Sequence, residues 1–435
     1  MKNLSPWNKI PKSNNQNYHF FKSSSIFDLN SSTFLPRGLG RSYGDTCLNE
    51  KGSLVLMENY KNILEIDSSK GTLKCQSGLS INEILKIIVP LGWFLPVVPG
   101  TSYVTIGGAI ANDIHGKNHH KFGSFGNFVE SLELLKSNGK KIICSNQNNK
   151  ELFSATIGGL GLTGVILNAK IKLIKIQSSN IKTKSLTFQS LDEYFQLCEN
   201  YENKFDYTVS WIDFDFSKSN YIRGIYHVGN HAEEDGSLNI EKQKSNKFNF
   251  NLPFNIPFSL VNNKSIWLLN NFYFALFKND NEYFQHYSKF FFPLDVIKNW
   301  NRAYGKNGFY QYQFLVSKKD AKEVIEKVFL ALKKYKHKPA LGVLKTFGNI
   351  QSLGMLSFPA EGVTVALDLQ NKGKRTLKLL NELDSIICKF DGRLYPAKDC
   401  RMSNETFKKS YKNFKEFQKY KDSKFNSDFF DRTMS

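Results

Sequence analysis

Two glycine-rich segments hold the residues whose types and spacing point most directly to chemistry. The first runs from Pro36 to Asp45 and reads PRGLGRSYGD; the second runs from Pro99 to Gly116 and reads PGTSYVTIGGAIANDIHG. Successive backbone N–H groups in such loops form concave nests that bind anions such as a pyrophosphate. Small side chains also let a planar group approach the main chain closely. The two segments therefore predict a site for a large cofactor that carries phosphate.

A third glycine cluster, Gly159–Gly164, fits the pattern G-x-G-x-x-G of dinucleotide-binding folds. That fingerprint requires a helix directly after the glycines. Here Val165–Ile176 alternates and is rich in β-branched residues, which predicts a strand instead. We therefore interpret these glycines as tight turns where the backbone approaches a ligand.

Length and charge set the outer limits of the interpretation. With 435 residues the chain is longer than one hydrophobic core usually organises, so two or three lobes are expected. Its 59 basic against 39 acidic residues give a formal charge of +20, which attracts anionic partners. The basic clusters Lys333–Lys338 and Lys372–Arg375 lie in no nucleic-acid-binding motif, so we expect no nucleic-acid partner.

Cysteine spacing and hydropathy bear on the compartment. The six cysteines show no CxxC or Cys/His pattern, so they are predicted to be reduced thiols and no metal site is predicted. The sequence has neither an apolar run long enough to span a membrane nor a visible secretory signal. We expect a cytoplasmic protein, with any membrane contact peripheral and on the inner face of the cytoplasmic membrane.

Local patterns place elements around the glycine-rich segments. A helix is predicted after Ser80, because Ser80 and Glu83 form a capping box and apolar residues follow at helical spacing. Strands are predicted at Val129–Leu135 and Lys140–Cys144, joined by an Asn138-Gly139 turn. This mixture of strands and helices indicates an α+β lobe.

The composition of the sequence and the pattern of predicted elements change beyond that lobe. Aromatic-rich strands such as Tyr207–Phe216 and amphipathic helices such as Asp320–Tyr335 indicate a second unit. We predict a cofactor-binding domain over residues 1–177 and a substrate-binding domain over residues 178–391. Residues 392–435 form a segment too short to be a domain, which we expect to return to the first one.

The segment Asn251–Phe277 is rich in apolar residues and poor in charge. Two interpretations are open: it belongs to the core of the second domain, or it forms an apolar surface for a lipid chain or the bilayer edge. Its apolar members include Phe254, Phe258, Trp267, Leu268, Leu269, Phe272, Tyr273, Phe274 and Phe277.

The two glycine-rich segments resemble the cofactor loops of FAD-dependent oxidoreductases of the vanillyl-alcohol-oxidase type, which have a PCMH-type FAD-binding domain. Asp113–His120 and Gly123–Asn127 narrow the likeness to the decaprenylphosphoryl-ribose 2'-oxidase group. Further matching segments are Ala155–Gly164, Trp211–Asp213, Arg223-Gly224, Trp300–Gly305, Gln311–Phe314, Lys345–Gly348 and Gly392–Asp399. The resemblance implies an α+β fold: a two-lobed FAD-binding domain plus a substrate domain built on an antiparallel sheet with flanking helices.

The resemblance also implies an activity. It is the FAD-dependent oxidation of the C2' hydroxyl of a polyprenyl-phospho-ribose to the 2'-keto sugar, the first half of an epimerisation to the arabinose donor for cell-envelope polysaccharides. A short-chain dehydrogenase/reductase would complete the epimerisation, and a quinone or another acceptor would take the electrons. Two alternatives remain open: an FAD-dependent sugar-alcohol or aldonolactone oxidase on a soluble substrate, and a basic scaffold that has lost FAD.

By the same resemblance FAD is bound non-covalently, with His115 beside the flavin. The implied cofactor-binding residues are Arg37, Gly38, Leu39, Gly40, Arg41, Ser42, Tyr43, Gly44, Asp45, Gly100, Thr105, Ile106, Gly107, Gly108, Asn112, Asp113, His115, Gly116, Gly164, Ile166 and Tyr395.

Oxidation of a secondary alcohol also requires a base within reach of the hydroxyl proton. The resemblance assigns that base to Lys398, with His115 and Tyr43 as the other catalytic residues; the alternative is a surface lysine paired with Asp399. The implied substrate-binding residues are Arg302, Gln311, Gln313, Lys345, Asp368 and Lys398. Where well-known members carry a cysteine, this chain has Ala366, so we expect cysteine-directed covalent inhibitors not to attach.

Overall fold

The computed structural model describes residues 4–13, 17–24, 27, 32–214, 216, 222–233, 238, 250–252, 259–277 and 282–435. The strands, numbered along the chain, are β1 (Tyr18–Phe20), β2 (Phe34–Arg37), β3 (Ser53–Leu56), β4 (Ile63–Asp67), β5 (Thr72–Gln76), β6 (Trp93–Phe94), β7 (Val129–Leu135), β8 (Lys141–Ser145), β9 (Val165–Lys172), β10 (Ile174–Lys175), β11 (Asn180–Phe188), β12 (Tyr207–Phe214), β13 (Ile222–His231), β14 (Phe250–Asn251), β15 (Glu282–His286), β16 (Ile297–Lys298), β17 (Phe309–Val316), β18 (Leu341–Phe347), β19 (Gly362–Gln370) and β20 (Arg393–Leu394). The α-helices are α1 (Ile81–Ile88), α2 (Ile106–Ala111), α3 (His119–Phe122), α4 (Lys150–Thr156), α5 (Leu191–Tyr201), α6 (Asn263–Leu276), α7 (Tyr287–Phe291), α8 (Ala321–Lys334), α9 (Lys374–Lys389), α10 (Asn404–Ser410), α11 (Phe414–Gln418) and α12 (Asp428–Thr433).

Within the described residues, the N-terminal part of the fold contains three sheets, the smallest of which is the antiparallel pair of β6 and β10. Strands β1, β3 and β2 form a parallel sheet, and β4, β5, β9, β7 and β8 form an antiparallel one. The first glycine-rich segment leaves the end of β2, and the second leads into α2, whose N-cap is Thr105. A regular element therefore anchors each segment: β2 at the start of the first and α2 within the second.

Several local predictions are confirmed. Helix α1 begins after Ser80, the capping box with Glu83 is present, and the predicted apolar face is buried. Strand β7 has the predicted bounds, and Gly139 turns the chain toward β8 with φ of 82°. Strand β9 begins at Val165, directly after the glycine cluster, which confirms that no dinucleotide-binding helix follows it.

The C-terminal part of the fold is built on an antiparallel sheet with the order β15-β11-β13-β12-β18-β19-β17-β20. Helices α8 and α9 cover one face, where residues such as Phe314, Leu344 and Val365 join the helices in the main core. Because side chains alternate along a strand, their neighbours in sequence point to the opposite face. The α+β fold class, with an antiparallel sheet and flanking helices, is confirmed.

Residues 392–435 contact both parts of the fold. Strand β20 pairs with β17 at the edge of the large sheet. The chain then returns to the glycine-rich side: the Phe34 amide donates to the Lys424 carbonyl at 2.7 Å, and α12 packs on the 3₁₀ turn Asp45–Cys47. The segment thus connects the start of β2 and the 3₁₀ turn Asp45–Cys47 with the edge of the large sheet.

Helix α6 occupies the second half of the aromatic segment Asn251–Phe277. Its inner face buries Ile266, Asn270 and Phe274. Its outer face carries apolar side chains that are 59–65% exposed, namely Trp267, Leu268, Leu269, Phe272 and Leu276. The structure therefore favours the second interpretation, an apolar surface, for this helix. Phe254 and Phe258 lie outside the described residues.

Among the described helices, we find none with the length and apolar character needed to cross a membrane.

Candidate active site

A cavity of about 320 Å³ lies where the glycine-rich segments meet the large sheet. Glycines of three segments line it: Gly38, Gly40, Gly100, Gly107, Gly108, Gly161 and Gly164. The first two segments touch each other, since a Cβ atom added to Gly38 would lie only 2.2 Å from Thr105 Oγ1. Main chain therefore forms much of this wall, as binding of a large planar ligand requires.

The polar atoms of this wall fit a phosphate-bearing cofactor. Thr46 Oγ1, Ser77 Oγ and Asn112 Oδ1 are buried and line the cavity, and each lacks a hydrogen-bond partner within the described part of the chain. Buried polar groups are normally satisfied, so these atoms fit hydrogen bonds to the polar groups of a bound ligand. The glycines and these three side chains would hold FAD.

The opposite wall is the uncovered face of the large sheet. Alternating residues of β17, β18 and β19 line the cavity, namely Gln311, Gln313, Leu341, Val343, Lys345, Thr364, Ala366 and Asp368. Strand register makes them neighbours, because Gln311 lies opposite Asp368 and Lys345 opposite Thr364. Residues far apart in sequence are thus brought to one surface.

Lys398 enters the cavity from the 3₁₀ turn Pro396–Lys398. Its Nζ lies 3.7 Å from the centre of the Tyr43 ring, so it does not form the alternative surface pair with Asp399. Desolvation lowers the pKa of Lys398 to about 8, although Asp368 opposes this effect. An amine with this pKa is partly deprotonated near neutral pH, as a general base must be.

Asp368 faces the same space from β19. Burial raises its pKa to about 6, against the opposing effects of Gln311 and Lys398. Gln311 Nε2 donates to Asp368 Oδ1 at 2.6 Å, whereas Oδ2 has no partner within the described residues. Asp368 is therefore largely ionised at neutral pH and has one oxygen free to accept a hydrogen bond.

His115 lies between the two walls. Its Nε2 is 3.0 Å from Gln313 Nε2, and its Nδ1 is 3.0 Å from Lys345 Nζ. Burial, with Lys345 as the next cause, lowers the pKa of His115 well below the usual value. The ring is therefore neutral, and both of its nitrogens face protein groups.

Most of the predicted site residues line the cavity. From the predicted cofactor and catalytic set these are Arg37, Gly38, Leu39, Gly40, Arg41, Ser42, Tyr43, Gly100, Thr105, Gly107, Gly108, Asn112, His115, Gly164, Ile166, Tyr395 and Lys398. From the predicted substrate set they are Gln311, Gln313, Lys345, Asp368 and Lys398.

Six predicted residues lie outside the lining: Gly44, Asp45, Ile106, Asp113, Gly116 and Arg302. The two carboxylates support the loops. Asp45 accepts two hydrogen bonds from Arg432, each of 2.8 Å, and Asp113 accepts from the Gly126 amide at 2.8 Å and from Ser124 Oγ at 2.9 Å. Ile106 is core.

The other three also have contacts behind the wall. A Cβ on Gly44 would meet the Asp399 carbonyl at 1.8 Å, and one on Gly116 would meet Val98 O at 3.0 Å. Arg302 Nη1 donates to the Leu252 carbonyl at 2.7 Å. Loop packing thus accounts for the positions of these residues.

Sequence reasoning missed part of the lining. Trp7 and Trp300 line one end of the cavity with a ring separation of 5.8 Å, and Arg41 lies over Trp7 at 4.0 Å. Asp295 also lines it and accepts from Thr101 Oγ1 at 2.6 Å. No local motif marks these residues; the one sequence signal is that Trp300 begins a matching segment.

Known proteins resemble this chain around the cavity and well beyond it. Residues 26–145, which include both glycine-rich segments, match the FAD binding domain family. The chain is 35% identical to decaprenylphosphoryl-beta-D-ribose oxidase of Mycolicibacterium smegmatis over 383 residues, which are 87% of this chain and 83% of that protein. The chain belongs to the decaprenylphosphoryl-beta-D-ribose oxidase family.

Other relatives share less identity with the chain. An uncharacterized protein of Streptomyces coelicolor is 28% identical over 77% of this chain and 92% of its own length. The Delta(24)-sterol reductase of Rattus norvegicus is 27% identical over 34% of this chain and 28% of its own.

Two predictions are thereby confirmed: the chain is an FAD-dependent oxidoreductase, and its cofactor is FAD. This excludes the alternative of a scaffold that has lost FAD.

The cavity offers no cysteine at position 366, because Ala366 lines it there. Cys47 also lines the cavity, but burial raises the pKa of its thiol. Because the thiolate is the reactive form, Cys47 offers no substitute nucleophile at neutral pH.

We expect FAD to co-purify with this family member and to be released by acid or heat. Both ring nitrogens of His115 face protein groups, Gln313 and Lys345, so neither is available for a bond to the flavin. The check is flavin absorbance in the filtrate after denaturation. Yellow colour that remains with the denatured chain would contradict the expectation.

Proposed function

We propose that the enzyme oxidises the C2' hydroxyl of a polyprenyl-phospho-ribose to the 2'-keto sugar. This is the first half of an epimerisation to the arabinose form used in cell-envelope polysaccharides, with a short-chain dehydrogenase/reductase for the second half. A quinone or another acceptor would take the electrons. The observation that carries the proposal is the joint lining of one cavity by FAD-loop glycines and by Lys398, Asp368 and Gln311.

The residues of the cavity suit the chemistry of such a substrate. When bound, FAD supplies the acceptor for the hydride that leaves the carbinol carbon. Lys398, as a neutral amine, takes the proton of the hydroxyl group. Asp368 Oδ2 and the Gln311 amide orient sugar hydroxyls by hydrogen bonds. The Arg41 guanidinium, stacked over Trp7, binds the phosphate.

Hydrophobic contacts connect the cavity with helix α6. Leu341, which lines the cavity, packs against the cluster of Trp211, Ile225 and Phe274, and Phe274 belongs to the inner face of α6. A prenyl chain attached to a sugar in the cavity would therefore find apolar surface nearby. This supports a lipid-linked substrate over a soluble polyol or aldonolactone.

The test is anaerobic bleaching of the flavin absorbance by a panel of compounds. We expect a short-chain prenyl-phospho-ribose to bleach the flavin, and free ribose, sugar alcohols and aldonolactones to leave it oxidised over the same time. The prenyl phosphate without the sugar is the matched control. Bleaching by free polyols at an equal rate would overturn the proposal in favour of a soluble substrate.

We propose further that the protein sits at the inner face of the cytoplasmic membrane through α6. The outer face of this helix carries large apolar side chains, and the chain has a formal charge of +20, so apolar insertion and attraction to anionic lipid act together. Salt screens the second effect, with a Debye length of ~10 Å at 0.1 M, but hardly affects the first.

We expect a Trp267→Ser, Phe272→Ser double variant to bind anionic vesicles about 10²–10⁴-fold more weakly at high salt, since burial of each such side chain contributes about 1.5–3 kcal/mol. Sedimentation with the vesicles measures it. The matched control is Ile143→Ser, Leu330→Ser, which removes exposed apolar side chains of β8 and α8 and leaves α6 unchanged. Equal sedimentation of the α6 variant and the wild type at high salt would remove the membrane proposal.

A further inference from the structure

The groups around His115 determine which of its ring nitrogens carries the proton. Gln313 Nε2 lies 3.0 Å from His115 Nε2, and Lys345 Nζ lies 3.0 Å from His115 Nδ1. A neutral imidazole has one N–H donor and one acceptor nitrogen. Gln313 and a charged Lys345 therefore cannot both donate to the neutral ring.

Thr364 fixes the orientation of the Gln313 amide. Thr364 Oγ1 donates its one hydrogen to the Phe314 carbonyl at 2.8 Å, so it accepts from Gln313 Nε2 at 3.2 Å. The amide nitrogen of Gln313 thus uses its two hydrogens on Thr364 and on His115 Nε2. His115 Nε2 is the acceptor, and the proton of the ring is on Nδ1.

An Nδ1–H group that points at Lys345 needs a lone pair on the lysine nitrogen, which an ammonium group does not have. We propose that Gln313 sets the tautomer of His115 and thereby holds Lys345 as an uncharged amine. Lys345 also donates a hydrogen bond to the Gly116 carbonyl at 3.2 Å. Gln313 is a positioning residue, and Lys345 is a second proton acceptor in the cavity beside Lys398.

The charges that face Lys345 favour the same state. Desolvation, followed by repulsion from Lys117 and Lys398, lowers the pKa of Lys345 to about 7. His119 on α3 is neutral as well, because burial and then Lys345 lower its pKa to about 3. Asp368 is the carboxylate of the same wall, and it is held by Gln311. Whenever Lys117 and Lys398 are charged, an ionised Lys345 would add a third positive charge at one partly buried site.

The test is nitrogen-15 NMR of the FAD-loaded enzyme labelled with [15N]histidine at pH 7, with the His115 signals assigned by their loss in His115→Asn. We expect a protonated Nδ1 and an unprotonated Nε2 in the wild type. In Gln313→Glu an ionised carboxylate can only accept, so the proton moves to Nε2, and the chemical shifts of the two ring nitrogens exchange. The signals of His227, which is hydrogen-bonded to Ser185 and Tyr273, should stay unchanged.

Two results would overturn the proposal. A wild-type His115 with its proton on Nε2 would mean that Lys345 donates as an ammonium group, and this result needs no variant to fold. A Gln313→Glu enzyme that keeps the Nδ1–H form would remove Gln313 as the residue that sets the tautomer. Neither result depends on which alcohol the enzyme oxidises.

Discussion

A Lys398→Met variant is expected to remain yellow but to lose substrate-driven reduction of its flavin by about 10²–10⁴-fold, the usual contribution of a general base. Methionine keeps the length and the apolar contact with Tyr43 but has no lone pair of comparable basicity. Lys398 is not among the glycines and buried polar atoms that would hold FAD. Flavin occupancy should therefore match that of the wild type, whereas the rate of anaerobic bleaching falls.

The pH dependence of the anaerobic bleaching rate tests this expectation independently. The neutral amine is the active form, so activity is low below the Lys398 pKa of about 8 and rises through it. Between pH 7 and pH 9 the deprotonated fraction grows about tenfold, and the wild-type bleaching rate should follow. The variant should show no such rise. Asp368, with a pKa of about 6, is already ionised over this range.

Lys408→Met is the matched control, since Lys408 also lies near an aromatic ring, Phe414, but on an exposed helix outside the cavity. It should bleach at the wild-type rate. If Lys398→Met reduced its flavin as fast as the wild type, with the same pH dependence, the proton acceptor would have to be another group. Lys345 would then be the first candidate, because it is the other lysine that lines the cavity within the described chain.

Local features of this fold follow from the sequence because their causes are local. The capping box at Ser80 and Glu83 starts α1, and the alternation after Gly164 produces β9. The cofactor loops could be located in the same way, because their glycines lie next to one another in the chain. The sequence could not tell which acidic loop residue faces the ligand. Asp45 accepts a hydrogen bond from Arg432, 387 residues away in the sequence, and Asp113 accepts one from Ser357, 244 residues away.

The substrate wall could not be derived from spacing. Gln311 and Asp368 meet because β17 and β19 are adjacent in the sheet, and that pairing depends on the register of the whole domain. Only the resemblance to a known family predicted that these two residues belong to one substrate site. The resemblance also assigned Arg302 to this set; in this chain Arg302 Nη1 donates to the Leu252 carbonyl. Trp7 and Asp295 have no local signal of any kind, because non-local packing alone brings them to the cavity.

Helix α12 is joined to the first glycine-rich segment by an ion pair, and its loss should strongly reduce the stability of the protein. Arg432 donates through Nε and Nη2 to Asp45, both at 2.8 Å, and through Nη2 to Asp399 at 3.1 Å. Asp45 belongs to the first glycine-rich segment, and Asp399 follows Lys398. Burial raises the pKa of Asp45 even with Arg432 present, which shows that desolvation is the dominant influence on this carboxylate.

Arg432→Ala is therefore expected to lower the free energy of unfolding by about 3–5 kcal/mol at pH 8, because it leaves a buried carboxylate without its partner. Urea unfolding of the FAD-loaded protein measures the loss. Lys419→Ala breaks the exposed pair with Glu416 and is the control, with an expected change below about 1 kcal/mol. Equal unfolding of Arg432→Ala and the wild type would show that α12 is not held by this ion pair.

The dependence of that loss on pH separates an unpaired charge from a simple packing defect. In Arg432→Ala the pKa of Asp45 in the folded state lies still further above its unfolded value, because the lowering effect of Arg432 is gone. Such a group stabilises the folded state at low pH, and this contribution is lost as the pH rises through the folded pKa. The variant should therefore recover stability relative to the wild type between pH 8 and pH 5. A packing defect would leave the difference constant, so a pH-independent loss would reject the buried carboxylate as its cause.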